Sequence, residues 1–378
     1  MKIAINCIYY EAGGGIKEYI HNLVKELVEL DNDNEYIFYI PKTVESIFVN
    51  LINGRGKIKI FPFESNKKIK RALLQKYFWE KEEREEKFDV FHSTFFHSPE
   101  FKNAKVILTV HDLRFLNFPK SYEFKRYFYL KYAVKKSIKN ADKIITISNF
   151  TKDEVIKFYK TDERKIKAIH EAVDPEAFVL KSEDKGNERV IKDNLINSTE
   201  YLLAVGHLEP RKNYTRLIEA FSLLPTAIKN TYKLVIVGKK NHDYDDVLSM
   251  INKASNVIYL DFISRDDLVW LYANCKLHIF PSYYEGFGFP SLEAGLFSKP
   301  TVGANQSSIA EISGDGGLYF DPFSVKDIKD KIEDVLSNES LYSELSINAL
   351  LNATKFSWRK NAIETCEIYD SVKNKRNN

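Results

Sequence analysis

Cysteine is scarce in this 378-residue chain: Cys7, Cys275 and Cys366 lie far apart, are odd in number and form no C-x-x-C pair. That argues against a disulfide framework or a cysteine-held zinc, and a reducing compartment fits. Long hydrophobic runs are missing as well. No stretch reaches the ~18 apolar residues of a spanning helix, and Asn6 and Glu11 interrupt the first apolar stretch too early for a secretory signal. A cytoplasmic chain that does not cross a membrane is expected. Net charge is small, with 56 basic residues against 53 acidic ones, which gives no argument for nucleic-acid binding. The eight histidines show no His-x3-His pair. Two Asp-x-Asp strings, Asp31-Asn32-Asp33 and Asp243-Tyr244-Asp245, sit where turns are expected and read as turn acids, so no metal site is expected.

What is present is a repeated β-then-α rhythm. Hydrophobic residues make up 44% of the chain and charged ones 29%, enough apolar material for sizeable cores. Lys2–Ile8 reads as a buried strand, followed by a glycine turn at Gly13-Gly14-Gly15 and a helix with apolar residues from Ile16 to Val28 at one-face spacing. Tyr36–Ile40, Lys57–Phe61, Val90–His92, Lys105–Val110, Lys143–Ile147 and Ile166–Ile169 continue the strands, and Thr151 with Glu154 reads as a capping box. Residues 181–199 are polar and read as a linker or surface loop. A second series then starts: Tyr201–Val205, Lys233–Val237, Val257–Tyr259, Leu277–Phe280, Thr301–Gly303 and Leu318–Phe320. The expected fold class is α/β, with two Rossmann-like domains facing each other across a cleft. One covers residues 1–173 and the other 174–357, and a helix near 358–378 returns to the first. Ligands should bind beyond the carboxyl ends of the strands.

Two segments at such ends carry chemistry. Glu285-Gly286-Phe287-Gly288-Phe289-Pro290 follows Leu277–Phe280, with Glu293 eight residues beyond Glu285. Its glycines permit close backbone approach, Pro290 suits a first helical turn, and each carboxylate could hold a sugar diol. Gly206-His207-Leu208-Glu209-Pro210-Arg211-Lys212-Asn213 follows Tyr201–Val205 and brings two adjacent cations to a strand end, with Asn213 as expected helix cap. Arg and Lys there can bind a diphosphate and stabilise the charge on a departing nucleotide. Each segment alone also reads as an ordinary loop.

Together they resemble the retaining nucleotide-sugar glycosyltransferases of family 4, with the GT-B fold and a mannosyltransferase-like character. The resemblance covers nearly the whole chain. It includes the glycine turn, His111-Asp112, Ile145-Thr146-Ile147-Ser148, Ala172-Val173-Asp174 with Phe178, residues 206–213 and 235–240, and Asp261-Phe262-Ile263-Ser264. The E-x7-E pair, residues 307–322 and Phe356-Ser357-Trp358 complete it. Ala172 stands where the family most often has glycine, and the usual basic residue after the glycine turn corresponds to Lys17.

The resemblance implies an acceptor-binding first domain and a donor-binding second one. Arg211 and Lys212 would grip the donor diphosphate, helped by Gly14, Gly15, Gly206 and the backbone of Gly286, Phe287, Gly288 and Phe289. Glu293 would bind ribose, Glu285 and His111 would face the transferred sugar, and Gly238, Phe262 and Ile263 would line the base pocket. His111, Arg211, Lys212 and Glu285 are the expected catalytic residues. The co-substrate would be a nucleotide-diphosphate sugar, with no other cofactor. GDP-mannose leads as donor; UDP-glucose, UDP-N-acetylglucosamine and dTDP-rhamnose stay open. The expected acceptor is a glycan or a lipid-linked glycan of surface polysaccharide or lipopolysaccharide. A nucleotide-sugar epimerase, a phosphorylase and a non-catalytic nucleotide-sugar-binding subunit are the alternatives.

Charge is unevenly placed: residues 1–180 hold 32 basic and 26 acidic residues, and residues 101–150 alone hold 11 against 3. Residues 118–143 interleave eight basic residues with aromatics, which reads either as an inner-leaflet membrane face or as a helix whose aromatics pack on the core. Lys67–Trp79 is a smaller stretch of the same kind.

Overall fold

The structure is a computed structural model that describes residues 1–62, 68–180, 186 and 188–373, without the side chains of 68–74. The chain divides into two units, Met1–Glu171 with the segment from Trp358, and Ala172–Ser357.

The first unit is built on seven parallel strands: β1 (Lys2–Asn6), β2 (Glu35–Ile40), β3 (Lys57–Ile60), β4 (Val90–Ser93), β5 (Lys105–Val110), β6 (Lys143–Thr146) and β7 (Ile166–Ala168). Their order is β3-β2-β1-β4-β5-β6-β7, so the sheet grows outward in both directions from β1 and β4. Ala4 pairs with Ile37 on one side and Phe91 on the other. Ile3, Ala4 and Ile5 are fully buried, as a strand covered on both faces requires. Between strands run α1 (Gly14–Leu30), α2 (Lys68–Glu86), α3 (Phe124–Asn140) and α4 (Asn149–Tyr159). The cap of α4 lies one turn earlier than the sequence suggests. Ser148, not Thr151, accepts the first free backbone N–H (that of Thr151), and Glu154 instead accepts a bond from the Asn117 amide.

The second unit begins with a hairpin the sequence does not announce. β8 (Glu188–Ile191) and β9 (Asn194–Asn197) pair antiparallel within the stretch read as linker. Its two-residue turn, Lys192-Asp193, has both φ angles positive, +50° and +62°. Such turns usually advertise themselves as Asn-Gly or Asp-Gly, and Lys-Asp gives no such sign. Ile191 and Ile196 are buried, and Arg189 Nε meets Asp267 at 2.8 Å.

Six parallel strands follow: β10 (Tyr201–Val205), β11 (Lys233–Val237), β12 (Val257–Leu260), β13 (Leu277–Phe280), β14 (Thr301–Ala304) and β15 (Gly317–Phe320), in the order β12-β11-β10-β13-β14-β15. The order reverses between β10 and β13, which places the crevice beyond their carboxyl ends. Three helices matter to that crevice: α5 (Tyr214–Ser222), α6 (Arg265–Asn274) and α7 (Phe289–Gly295). Each sheet with its flanking helices is Rossmann-like. α8 (Trp358–Ser371) returns to the first unit, where it packs along α1 and His92 Nδ1 bonds the Tyr369 hydroxyl at 2.7 Å.

Candidate active site

The loops after β10 and β13 meet at the switch point of the second sheet. Gly206 adopts φ +152° at the exit of β10, and a Cβ there would lie 2.8 Å from Lys212 Cε; the lysine stem crosses the glycine's open side. Gly238, at the exit of β11, adopts φ +157° and packs so closely that a Cβ would come within 2.0 Å of the Gly206 carbonyl oxygen. Any side chain there would push the two strand exits apart. Leu208 N donates to Lys239 O at 2.9 Å and Asn241 N to Leu208 O at 3.1 Å, which fastens one loop to the other.

On this platform four charged side chains converge. Arg211 Nη1 is 2.7 Å from Glu285 Oε2, and Lys212 Nζ is 2.7 Å from Glu285 Oε1, so one carboxylate bridges both cations. Arg211 also donates from Nε and Nη2 to Glu209 Oε1, at 3.1 and 2.5 Å, and from Nη1 to the Tyr284 carbonyl. All four side chains are nearly buried. Burial alone would raise the Glu285 carboxyl, but Arg211 and Lys212 outweigh it and hold its pKa at about 2. Lys212 is pushed below the ordinary lysine value by burial, with Arg211 adding to the push against the pull of Glu285. Two cations are thus balanced by two carboxylates, and the nearly buried cluster is charge-neutral.

The β13 loop is shaped around Glu285. Its backbone N–H donates to Ser307 Oγ at 3.0 Å, and Ser308 Oγ donates to the Glu285 carbonyl at 2.9 Å and to the Phe287 carbonyl. Gly288, at φ +142°, precedes α7 with Pro290 in its first turn, and the Phe287 ring is buried against Phe289 and Phe356. Glu293 lies on α7 and accepts the Tyr272 hydroxyl of α6 at 2.6 Å.

Beyond β12, Phe262 is 64% exposed at φ +37°, with Lys239 Nζ 4.0 Å from its ring centre, and Ile263 follows it, half-buried. Asn213 is not the side-chain cap expected for α5. It sits at φ +57°, and its amide donates to the carbonyls of Pro281 (3.1 Å) and Pro322 (2.9 Å), which ties the β13 and β15 exits to the cationic loop.

The structure thus brings Arg211, Lys212, Glu285, Gly206 and Gly238 together in the second unit, with Gly286 and Gly288 in the adjoining loop. Gly14, Gly15 and His111 belong to the first unit. Gly13 and Gly14 take φ +72° and +56° where α1 starts, and Lys17 lies over the Tyr10 ring. His111, at the exit of β5, is buried. Its Nδ1 is 3.3 Å from Glu171 Oε1 and its Nε2 is 3.0 Å from the Thr94 carbonyl, with Tyr19 edge-on at 4.9 Å. Burial alone would lower its pKa; the Glu171 carboxylate and the Thr94 carbonyl reverse that and raise it. Glu209 and Glu171 escape a sequence reading because each looks like a loop acid. Only the i, i+2 spacing of Glu209 and Arg211 hints at a pair.

The basic segment before β6 forms α3. Tyr127, Leu130, Val134 and Ile138 turn inward, while Phe124, Phe128, Tyr129 and Tyr132 are exposed beside Lys125, Lys131 and Lys135. In the smaller stretch, Lys67 and the side chains through 74 lie outside the described residues; Trp79 is a core residue, which fits the reading in which the aromatics pack on the core. Among the described residues no helix is long and apolar enough to cross a membrane.

Residues 13–177 match Glycosyltransferase Family 4 and residues 187–351 match Glycosyl transferases group 1. The serotype-specific mannosyltransferase WbdA of Escherichia coli is 34% identical over 272 residues, 68% of this chain and 32% of that protein, so the chain spans about a third of its length. The O-antigen chain mannosyltransferase B of E. coli is 28% identical over 289 residues, 76% of this chain and 75% of the relative. Among solved structures, sucrose-phosphate synthase from Thermosynechococcus elongatus superposes with TM-score 0.74 at 15% identity, covering 98% of this chain and 99% of that one. Anabaena HepE in complex with UDP-glucose gives 0.71 at 17%, covering 98% and 100%.

Proposed function

The chain belongs to glycosyltransferase family 4, and on that premise we propose that it moves a hexose from a nucleotide-diphosphate sugar to a glycan or lipid-linked acceptor. The observation that carries this reading is the buried pair Arg211–Lys212 at the switch point of the second sheet, bridged by Glu285. Two fixed cations beside glycines that expose backbone fit a diphosphate, and they stabilise the charge that grows on it as the glycosidic bond breaks. Mannose from GDP-mannose is the first choice of donor; the names of the relatives, O-antigen and serotype-specific mannosyltransferases, support it. They also support a glycan of surface polysaccharide or lipopolysaccharide as acceptor.

Transfer is proposed to retain the anomeric configuration, as the family resemblance implies. No carboxylate stands out as a covalent nucleophile, since the resemblance gives Glu285 the role of binding the transferred sugar rather than attacking it. That supports front-face attack, with the leaving diphosphate taking the acceptor's proton. Glu293 would hold the ribose, Phe262 and Ile263 the base, and His111 with Gly14 and Gly15 keep the roles the resemblance assigns them. The two cations supply the electrostatics that a divalent ion provides elsewhere, so the reaction should need no metal. The exposed aromatics and lysines of α3 support docking at an anionic inner-leaflet surface from the cytoplasmic side.

A donor panel tests the reading. GDP-mannose, UDP-glucose, UDP-N-acetylglucosamine and dTDP-rhamnose are compared for thermal stabilisation and slow donor hydrolysis, with and without EDTA. One donor should stabilise and turn over regardless of EDTA, and Lys212→Ala should cut turnover by ~100-fold or more. Silence from every donor, or full activity in Lys212→Ala, would sink the proposal.

A further inference from the structure

Charge balance at the cationic loop raises a question of exchange. Arg211 and Lys212 are matched by Glu209 and Glu285, all nearly out of water. A nucleoside diphosphate brings at least two negative charges of its own. If both carboxylates stayed in place, the incoming anion would meet a neutral cluster whose cations are already engaged. One carboxylate must therefore give way.

The two are not equivalent. Glu285 stands in a loop between Tyr284 and Gly286, and its carboxylate reaches across to cations carried on the other loop. Glu209 is anchored on every side. It is 3% exposed, its Oε1 takes both Nε and Nη2 of Arg211, and its Oε2 accepts the Asn241 amide at 3.1 Å. Its carbonyl accepts Lys212 N at 3.0 Å, and the neighbouring Leu208 is pinned to the loop after β11. Glu209 engages the Nε side of the guanidinium, while Glu285 meets Nη1, where a bidentate anion could take over.

We propose that Glu209 is a positioning residue: it keeps Arg211 aimed while Glu285 yields its place on the two cations to the donor diphosphate. Glu285 thereby stands in for the phosphate until the donor arrives, and its displaced carboxylate then meets the transferred sugar. This rests on the donor-site reading above.

The proposal predicts that binding and turnover respond in opposite directions. Glu209→Gln keeps the size and one acceptor oxygen but removes a negative charge from the cluster. GDP and UDP, followed by calorimetric titration, should bind as tightly as to the unaltered protein or more tightly. Donor hydrolysis should lose ~10-fold or more in kcat, because the arginine is no longer held in the orientation the departing diphosphate needs. Glu209→Asp should recover part of that loss. Asn241→Ala, which removes a second hydrogen-bond partner of Glu209 without touching the cations, should lower kcat by a few-fold at unchanged nucleotide affinity.

Unchanged kcat in Glu209→Gln overturns the proposal, as does a parallel loss of nucleotide affinity, kcat and melting temperature, the mark of a structural carboxylate only. If Glu209→Gln does not fold, Asn241→Ala decides alone, and wild-type kcat there counts against the idea. Failure of the unaltered protein to bind any nucleoside diphosphate overturns the donor-site reading and this proposal with it. Binding by the unaltered protein with an indifferent Glu209 overturns the present proposal alone.

Discussion

At the scale of single residues, the features that matter are side chains whose charge is fixed by what surrounds them. His111 is the clearest case in the first unit. Its Nε2 faces a carbonyl, which only accepts, and its Nδ1 faces the Glu171 carboxylate. Asp112 adds to the pull toward the charged ring, and the nearby His92 is buried and driven down to about pH 3, so it stays neutral. A histidine whose folded pKa is raised contributes stability that is complete below its unfolded value, near 6.5, and is lost as pH rises through the folded value. Glu171→Gln removes the main cause of the raise and leaves the burial. The melting-temperature gap between the natural protein and this variant should be widest below pH 6.5 and narrow above it. The ring resonances of His111 should titrate below 6.5 in the variant. A gap that does not change with pH would refute the pairing. Neither Glu171 nor Glu209 could be singled out from the sequence, since a loop glutamate looks the same whether it is solvated or buried against a cation.

At the scale of elements, the strands were legible and their ends less so. β5, β10, β11 and β13 lie where apolar β-branched runs put them, because fully buried parallel strands need such runs. β1 stops at Asn6 rather than Ile8, since the chain turns into a short 3-10 segment at Tyr10–Ala12. The hairpin β8–β9 was invisible because its turn lacks glycine or asparagine and only two of its residues face a core. That Arg211, Lys212 and Glu285 lie on neighbouring loops could be read because both loops follow strands at the sheet's switch point, where ligands are expected. Their mutual ion pairs could not, as they span 73 positions or more.

α3 shows the same limit from the other side, because periodicity alone left its aromatics equally suited to the core or the surface. Tyr127 packs on the core, while Phe124, Phe128, Tyr129 and Tyr132 are exposed, so binding to anionic vesicles is expected. Each lysine near such a surface contributes about 1 kcal/mol. Reversing Lys131, Lys135 and Lys136 should weaken partitioning into phosphatidylserine vesicles by about 100-fold, measured by sedimentation, with little change on neutral vesicles. Undiminished binding would remove the membrane reading.

At the scale of the whole molecule, the connection through α8 sets the first unit apart. Trp358, Ala362, Thr365, Ile368 and Tyr369 are buried, and α1 supplies much of their cover. Truncation after Phe356 would uncover that face. Aromatic core truncations alone cost about 3–5 kcal/mol each, so losing the helix should leave the first unit unfolded or aggregating while the second keeps its own melting transition. Two resolved transitions in the full chain, with the lower one absent from the truncated form, would be the calorimetric signature; an unaltered thermogram would contradict it.

The same connection orders events on the ribosome. The sheet of the first unit is complete by Ala168, yet the helix that covers α1 is specified only after the whole of the second unit. At about 5–20 residues per second, the intervening stretch takes roughly 10–40 s to emerge. During that interval the face of α1 that α8 covers, where Tyr19 meets Trp358, lacks that cover, while the second unit, contiguous in sequence, can finish. The earlier half of the chain is therefore the later to mature, and it is the half for which chaperones would have to wait.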